Sequence, residues 1–154
     1  MNALKSILLA EDSPQDVEMT LAALDEHNLA NEVVVVNDGA EALDYLYRRG
    51  KFHGRPEGNP GVVLLDLKMP RVGGLEVLRA IKGDEALRTI PVVVLTSSRE
   101  EQDLVASYRL GVNSYVVKPV GFQEFVRAVK ELGIFWALIN EPPPGDIRRL
   151  RPRP

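Results

Sequence analysis

The sequence predicts an α/β fold in which a five-stranded parallel sheet is covered by helices on both faces. Short apolar runs alternate with longer amphipathic segments from residue 6 to about residue 140, which is typical of parallel α/β proteins. Most of the short runs are continuous Val, Ile and Leu without polar alternation, as expected for strands that helices cover on both sides. The length of 154 residues suits a single domain, which we expect over residues 1–140.

Five strands are predicted, each four or five residues long. They cover residues 6–10, 32–36, 62–65, 91–95 and 114–117. Pro91 stands at the first position of its run, where a strand tolerates proline. The helices fill the intervals between these strands.

Three of the predicted helices begin with capping sequences, in which a Ser or Asp precedes an acidic residue three positions later. The pairs are Ser13 with Asp16, Asp38 with Glu41, and Ser98 with Glu101. The fifth helix has the longest apolar stripe, and we expect it to run to about Asn140, before the prolines at 142–144. Residues 50–61 are rich in Gly and Pro and predict an extended surface loop.

Composition excludes several classes of protein. The chain has no Cys, which excludes thiol catalysis, disulfides and Cys-ligated zinc. The longest apolar run late in the chain, 134–139, is far shorter than the ~20 residues of a membrane span, and no secretory signal is apparent, so we expect a cytoplasmic protein with no membrane partner.

The net charge of −3 conceals an asymmetry. Residues 147–154 contain four Arg and no acid, which leaves 15 basic and 22 acidic residues, a charge of −7, before them. We expect residues 141–154 to be a Pro/Arg-rich tail without an output domain. The acidic body should repel nucleic acid, which is not expected as a partner.

Polar residues follow the predicted strands at the ends where a ligand would bind. Glu11 and Asp12 follow the first strand, Asp66 the third, Thr96 the fourth and Lys118 the fifth. In an open parallel sheet the ligand crevice lies beyond the carboxyl ends of the strands, where strand order reverses. We therefore expect these side chains to meet there.

The chemistry of such a group points to a divalent cation and a phosphoryl group. Three adjacent carboxylates repel one another unless a cation neutralises them, and an all-oxygen site suits Mg²⁺ or Mn²⁺. Lys118 offers a positive charge to a phosphoryl group and Thr96 a hydroxyl donor. Asp66 is the candidate nucleophile, because carboxylates form aspartyl phosphates.

These residues resemble the receiver domain of two-component response regulators over about residues 5–133. The motifs are Glu11-Asp12, Asp66-Leu67-Lys68-Met69-Pro70 with Gly74 eight positions after Asp66, Thr96, and Tyr115 with Lys118-Pro119. The resemblance implies a flavodoxin-like, doubly wound sheet of order 2-1-3-4-5. It also implies that Asp66 accepts a phosphoryl group from a sensor histidine kinase.

The resemblance further assigns roles within the site. It implies that Asp12, Asp66 and the backbone carbonyl of Lys68 hold the cation, that Glu11 acts mainly through water, and that Lys118 binds the phosphoryl group. The Lys118–Pro119 peptide is expected to be cis. Thr96 and Tyr115 are expected to form a switch, in which Thr96 moves toward the phosphoryl group and Tyr115 turns into the vacated space.

A narrower resemblance concerns the end of the fifth helix. Phe135-Trp136 and the prolines after Glu141 resemble the stand-alone regulators that partner phytochrome-type kinases. Phe135, Trp136 and Ile139 extend beyond the sheet that would cover them and are candidate contacts of a homodimer.

Three alternatives compete with a phosphoacceptor that has no diffusible substrate. A Mg²⁺-dependent phosphohydrolase would commonly need a second carboxylate two residues after the nucleophile, where this chain has Lys68. A nucleic-acid binder would rely on the arginines of the tail. A dimeric scaffold independent of phosphorylation would keep its partner affinity whatever the state of Asp66.

His27 and His53 lack partners at metal-ligand spacing and are expected to be surface residues.

Overall fold

The computed structural model describes residues 6–25, 32–112 and 114–133. Five strands alternate with five α-helices and one short 3-10 helix. In chain order these elements are β1 (Ile7–Ala10), α1 (Pro14–Asp25), β2 (Val33–Val36), α2 (Gly39–Tyr47), the 3-10 helix (Gly50–Phe52), β3 (Val62–Asp66), α3 (Gly74–Gly83), β4 (Val92–Thr96), α4 (Arg99–Ser107), β5 (Tyr115–Val117) and α5 (Phe122–Glu131).

The strands form one parallel sheet of order β2-β1-β3-β4-β5, which confirms the predicted topology. From β1 the chain moves outward to β2 and then returns to the other side of β1 with β3. The strand order therefore reverses between β1 and β3, and a ligand crevice is expected at their carboxyl ends. Ala10 pairs with Leu65 in this register, so the residues that follow each strand are neighbours.

Each face of the sheet carries its own hydrophobic core, because side chains alternate along the strands. Leu8 and Ala10 face the layer formed by α2, α3 and α4, whereas Ile7 and Leu9 face the layer formed by α1 and α5. All four residues of β1 are completely buried. Burial on both faces explains why the strands lack polar alternation.

The three predicted caps are present. The backbone N–H of Asp16 donates to Ser13 Oγ, that of Glu41 to Asp38 Oδ1, and that of Glu101 to Ser98 Oγ. Each bond satisfies an N–H that the first turn of a helix leaves without a partner. The caps fix where α1, α2 and α4 start, and α1 and α4 come directly after strands whose ends carry site residues.

One predicted helix end differs from the structure, and the predicted loop contains the short 3-10 helix Gly50–Phe52. Helix α5 ends at Glu131, short of the predicted residue 140, because Gly133 takes a left-handed conformation with φ 73°. The segment 50–61 is an exposed loop anchored to α2, since the guanidinium of Arg55 donates to the carbonyls of Tyr45 and Leu46. Residues 134–154, which include the end of the predicted domain and the tail, lie outside the described residues.

Within 6–25, 32–112 and 114–133, every helix is too short or too polar to cross a membrane.

Candidate functional site

Three acidic side chains come together at the point where the strand order reverses. Glu11 and Asp12 directly follow β1, and Asp66 is the last residue of β3. Carboxylate oxygens of the three residues lie within 4.8 Å of one another. They are hard oxygen donors converging on one point, which is the ligand set that Mg²⁺ or Mn²⁺ takes in proteins.

Burial of two of these carboxyls disfavours their charged form. Glu11 is completely buried and Asp66 is 4% exposed, whereas Asp12 is exposed. Burial raises the pKa of Glu11 to about 7, against the opposing hydrogen bond from Lys118. Burial likewise raises the pKa of Asp66, although Lys118 and the backbone N–H of Lys68 favour its ionised form. A bound cation would relieve this cost, because it supplies the positive charge that the solvent no longer provides.

Lys118, the residue after β5, faces the acidic group and contacts three carboxylates at once. Its Nζ lies 3.0 Å from Glu11 Oε1, 3.0 Å from Asp16 Oδ2 and 3.2 Å from Asp66 Oδ1. Burial alone would lower the pKa of Lys118, but the bonds to Glu11 and Asp16 and the charge of Asp66 raise it above its usual value. The side chain is therefore a fixed ammonium beside the candidate nucleophile.

The backbone around Lys118 holds this side chain at the edge of the sheet. Its N–H donates to the carbonyl of Thr96 at 2.8 Å, which continues the pairing of β4 with β5. The Lys118–Pro119 peptide is cis, as the resemblance implied.

Asp16 is a member of the site that the sequence did not predict as functional. Its position three residues after Ser13 explains it fully as part of a helix cap, and nothing local indicates a partner 102 residues away.

Thr96 is completely buried at the end of β4, next to the strand that carries Asp66. Its Oγ1 lies 3.4 Å from Gln102 Nε2, which donates to it from α4. The hydroxyl is therefore held by α4 rather than by the acidic group in this structure.

The hydroxyl of Tyr115 is bound outside the acidic group. Tyr115 is half-buried at the start of β5, packs against the core on the α2, α3 and α4 side, and its hydroxyl donates to the carbonyl of Val112 at 3.3 Å. Burial raises the pKa of this hydroxyl, so it is a neutral donor.

The loop between β3 and α3 closes one side of the site. The ammonium of Lys68 is exposed and lies 3.5 Å from Glu101 Oε1, while Glu101 Oε2 accepts the N–H of Ser97 at 2.8 Å. Glu101 thereby links the loops that follow β3 and β4. The side chain two residues after Asp66 is thus a cation engaged elsewhere, not a second acid.

An ion pair between Arg71 and Asp38 also holds this loop, and it was not predicted from the sequence. Arg71 takes a left-handed conformation with φ 65°, and the N–H of Val72 donates to the carbonyl of Pro70 across it. The guanidinium of Arg71 donates to both carboxylate oxygens of Asp38, at 2.9 and 3.0 Å. Asp38 also caps α2, so one side chain joins the start of α2 to the loop that carries Lys68.

The remaining predicted residues do not enter this site. Phe135, Trp136 and Ile139, the candidate dimer contacts, lie outside the described residues, as does His27. His53 lies in the exposed loop after the 3-10 helix, where its Nδ1 is 3.0 Å from the carbonyl of Gly50.

Comparisons with known proteins match this geometry to one family. The sequence model of the response regulator receiver domain matches residues 7–130. Response regulator Rcp1 of Synechocystis sp. is 38% identical over 135 residues, which cover 88% of this chain and 90% of Rcp1. A solved structure of Rcp1 in its Mn²⁺-bound form superposes with a TM-score of 0.69 at 38% identity, covering 86% of this chain and 94% of that one. Together with the group of three acids, this bears out the predicted Mg²⁺ or Mn²⁺ cofactor.

Two further solved structures are similar over most of the chain. The bacteriophytochrome response regulator AtBRR is 64% identical with a TM-score of 0.86, and the match covers 91% of this chain and all (100%) of AtBRR. The phosphorylated cyanobacterial phytochrome response regulator RcpA is 40% identical with a TM-score of 0.70, covering 87% of this chain and 94% of RcpA.

Proposed function

This chain belongs to the response regulator receiver family of two-component signalling, and from that membership we propose that it accepts a phosphoryl group on Asp66 from a sensor histidine kinase. The observation that carries the proposal is the contact of Lys118 Nζ with Asp66 Oδ1 at 3.2 Å, beside the oxygens of Glu11 and Asp12. A nucleophile, a cation site and a fixed ammonium thus share one crevice.

The proposed reaction is an in-line transfer. An oxygen of Asp66 attacks phosphorus as the bond to the kinase histidine breaks, and the departing imidazole nitrogen keeps the electron pair. Lys118 faces the transferred oxygens, and positioning with charge neutralisation supplies most of the catalysis. The bound Mg²⁺ would neutralise charge on the same oxygens. Later attack by water on the acyl phosphate would return Asp66 to its starting state.

The proposed cation ligands are Asp12, Asp66 and the backbone carbonyl of Lys68. Glu11 is assigned an indirect role through water. Its Oε1 already contacts Lys118 and its Oε2 accepts the N–H of Ser13 at 3.2 Å, so both of its oxygens have protein partners.

The proposed partner is a phytochrome-type histidine kinase, since AtBRR and RcpA are phytochrome response regulators. The chain would signal through protein contacts and have no diffusible substrate, although it would assist its own phosphorylation and dephosphorylation. The proposal keeps the expected cytoplasmic location and the homodimer through Phe135, Trp136 and Ile139. Sedimentation of the phosphorylated and unmodified protein, with Trp136→Ala as a comparison, tests the dimer.

Incubation with Mg²⁺ and acetyl phosphate tests the phosphoacceptor. The wild-type protein should gain one phosphoryl group in intact-mass spectra, and Asp66→Asn should gain none. Asp103→Asn, which removes an exposed acid on α4, is the matched control and should be labelled like the wild type. Equal labelling of Asp66→Asn would reject the assignment, and sustained multiple turnover of a phosphate ester would favour the phosphohydrolase.

Transfer from a kinase tests the partner. A phytochrome-type kinase labelled on its histidine should transfer the phosphoryl group to the wild type within minutes and not to Asp66→Asn. A kinase with an unrelated sensor, at the same concentration, is the control. Equal transfer rates from both kinases would contradict the phytochrome partnership and leave the phosphoacceptor intact.

A further inference from the structure

The ammonium of Lys118 has one partner more than the proposed reaction explains. Glu11 and Asp66 belong to the acidic group that faces the cation and the phosphoryl group. Asp16 lies outside that group, yet its Oδ2 is 3.0 Å from Nζ, as close as the Glu11 oxygen. The 3.0 Å contact with Lys118 is therefore the observation that bears on the function of Asp16.

The three contacts together fix the position of Nζ. An ammonium has three N–H donors, and the three carboxylate oxygens at 3.0, 3.0 and 3.2 Å can take one each. Lysine side chains otherwise retain much rotational freedom, because their stem has four rotatable bonds. With only 14% of this side chain exposed, solvent competes little for the same donors.

Asp16 differs from the other two partners of Lys118 because it lies on α1, outside the acidic group. It lies in the first turn of α1, where its N–H donates to Ser13 Oγ at 3.3 Å. Cation binding and phosphorylation change the charge or the partners of Glu11 and Asp66. Asp16 lies outside the acidic group, so it is neither a ligand of the cation nor the nucleophile of the proposed reaction.

We propose that Asp16 is a positioning residue, which holds the Lys118 ammonium beside the phosphoryl group while the other two partners of Lys118 change. This inference rests on the proposed function. In the transfer from acetyl phosphate, the bond from an Asp66 oxygen to phosphorus forms as the bond from phosphorus to the acetate oxygen breaks. Acetate leaves with the electron pair, and Lys118 stays directed at the transferred oxygens because Asp16 holds it from α1.

The first test compares labelling rates by acetyl phosphate at saturating Mg²⁺. Asp16→Ala should react about tenfold more slowly than the wild type, since a displaced catalytic group loses rate steeply. Asp16→Asn should lose less, because its amide oxygen still accepts from the ammonium. Glu18→Gln removes an exposed acid from the same helix and should keep the wild-type rate.

The second test repeats Asp16→Ala in a Lys118→Ala background. If Asp16 acts through Lys118, the double variant should react at the rate of Lys118→Ala alone, which a merely structural role of Asp16 would not produce. A further slowing in that background would overturn the proposal, as would unchanged or faster labelling of both Asp16 variants. Wild-type protein that is never labelled on Asp66 would instead refute the proposed function itself.

Discussion

The surroundings of Glu11 act on the charge of its carboxyl in opposite directions. Glu11 is completely buried, and burial raises its pKa to about 7, while Lys118 at 3.0 Å opposes that shift. A carboxyl of this kind is partly protonated near neutral pH unless a cation is bound. In the protein without a phosphoryl group or cation, the buried charge of Glu11 therefore costs folding free energy. A bound Mg²⁺ would remove that cost.

This cost predicts a pH dependence of stability in the presence of a chelator. The folded-state pKa of about 7 lies above the 4.5 usual for glutamic acid. The stability that comes from a protonated Glu11 is therefore complete below pH 4.5 and is lost as the pH rises to about 7. By linkage the loss is about 3 kcal/mol. Glu11→Gln, which mimics the protonated carboxyl, should lack it.

Urea denaturation of wild type and Glu11→Gln in EDTA, between pH 5 and pH 8, measures the difference. The free energy of unfolding of the wild type should fall relative to the variant across this range. Parallel curves for the two proteins would contradict the raised pKa of Glu11.

At single residues, contacts between near neighbours could be predicted from the sequence, whereas contacts between distant residues could not. The caps at Ser13, Asp38 and Ser98 were predicted and are present, because a cap depends on neighbours within three residues. The contact of Asp16 with Lys118 joins residues 102 apart, so it depends on where the fold places the start of α1 relative to the end of β5. No local pattern contains that information.

At the scale of elements, the start of α3 is fitted closely to the end of β3. A Cβ on Gly74 would lie 2.2 Å from the carbonyl oxygen of Asp66 and 2.7 Å from Leu67 Cα. Both are backbone atoms, which cannot rotate away as a flexible side chain would. The glycine in the Asp66 motif is thus explained by the close approach of α3 to the segment that carries the nucleophile.

Gly74→Ala should therefore destabilise the protein by about 1–3 kcal/mol, because the added methyl overpacks this contact. It should also weaken Mg²⁺ binding, since the displaced segment carries Asp66 and Lys68. Gly83→Ala is the matched control, because a Cβ there meets no atom within 4 Å at the end of the same helix. Urea denaturation and calorimetric Mg²⁺ titration measure both effects, and equal behaviour of the two variants would contradict the close fit.

The pair of Arg71 and Asp38 makes a second prediction at this scale. Arg71 holds a left-handed backbone with φ 65°, which costs a non-glycine residue free energy, and its guanidinium binds both oxygens of Asp38. Because Arg71 is 63% exposed, the ion pair is worth only about 0–1 kcal/mol. We expect Arg71→Ala to weaken Mg²⁺ binding by at most about fivefold through the loop that carries Lys68.

A double-mutant cycle tests whether the Arg71–Asp38 ion pair, rather than the loss of either charge alone, affects Mg²⁺ affinity. Asp38→Asn keeps an oxygen to cap α2 but weakens the ion pair, and it should reduce Mg²⁺ affinity as Arg71→Ala does. If the ion pair acts as one unit, the double variant should bind Mg²⁺ no more weakly than either single variant. Strictly additive losses would show that the two side chains act on the cation separately.

For the whole molecule, the fold class followed from the alternation of apolar runs, and the strand order from the family resemblance. The register that brings Ala10 opposite Leu65 then places Glu11 and Asp12 beside Asp66. The predicted end of α5 was too late because the apolar stripe continues past Gly133, although a glycine in a left-handed conformation there ends the helix at Glu131.

The proposed switch extends from the site to the far end of β5. Thr96 is buried and receives a hydrogen bond from Gln102 of α4, whereas the Tyr115 hydroxyl is bound to the Val112 carbonyl. Both contacts are single neutral bonds of 3.3–3.4 Å, so little is lost when Thr96 turns toward the phosphoryl group and Tyr115 then changes position. To shift the two states of the switch from a ratio of 1:99 to 99:1, the phosphoryl group must favour one state over the other by about 5.5 kcal/mol.

Phosphorylation should therefore change the surroundings of Tyr115 through Thr96. In protein labelled with fluorotyrosine, the Tyr115 resonance should shift when Asp66 is phosphorylated, while that of Tyr47 on α2 should stay in place. Thr96→Ala should still be phosphorylated, but the Tyr115 resonance should keep its unmodified position, because the hydroxyl that links the site to α4 and β5 is gone. A fully phosphorylated wild type whose Tyr115 resonance does not move would show that the signal leaves the site by another route.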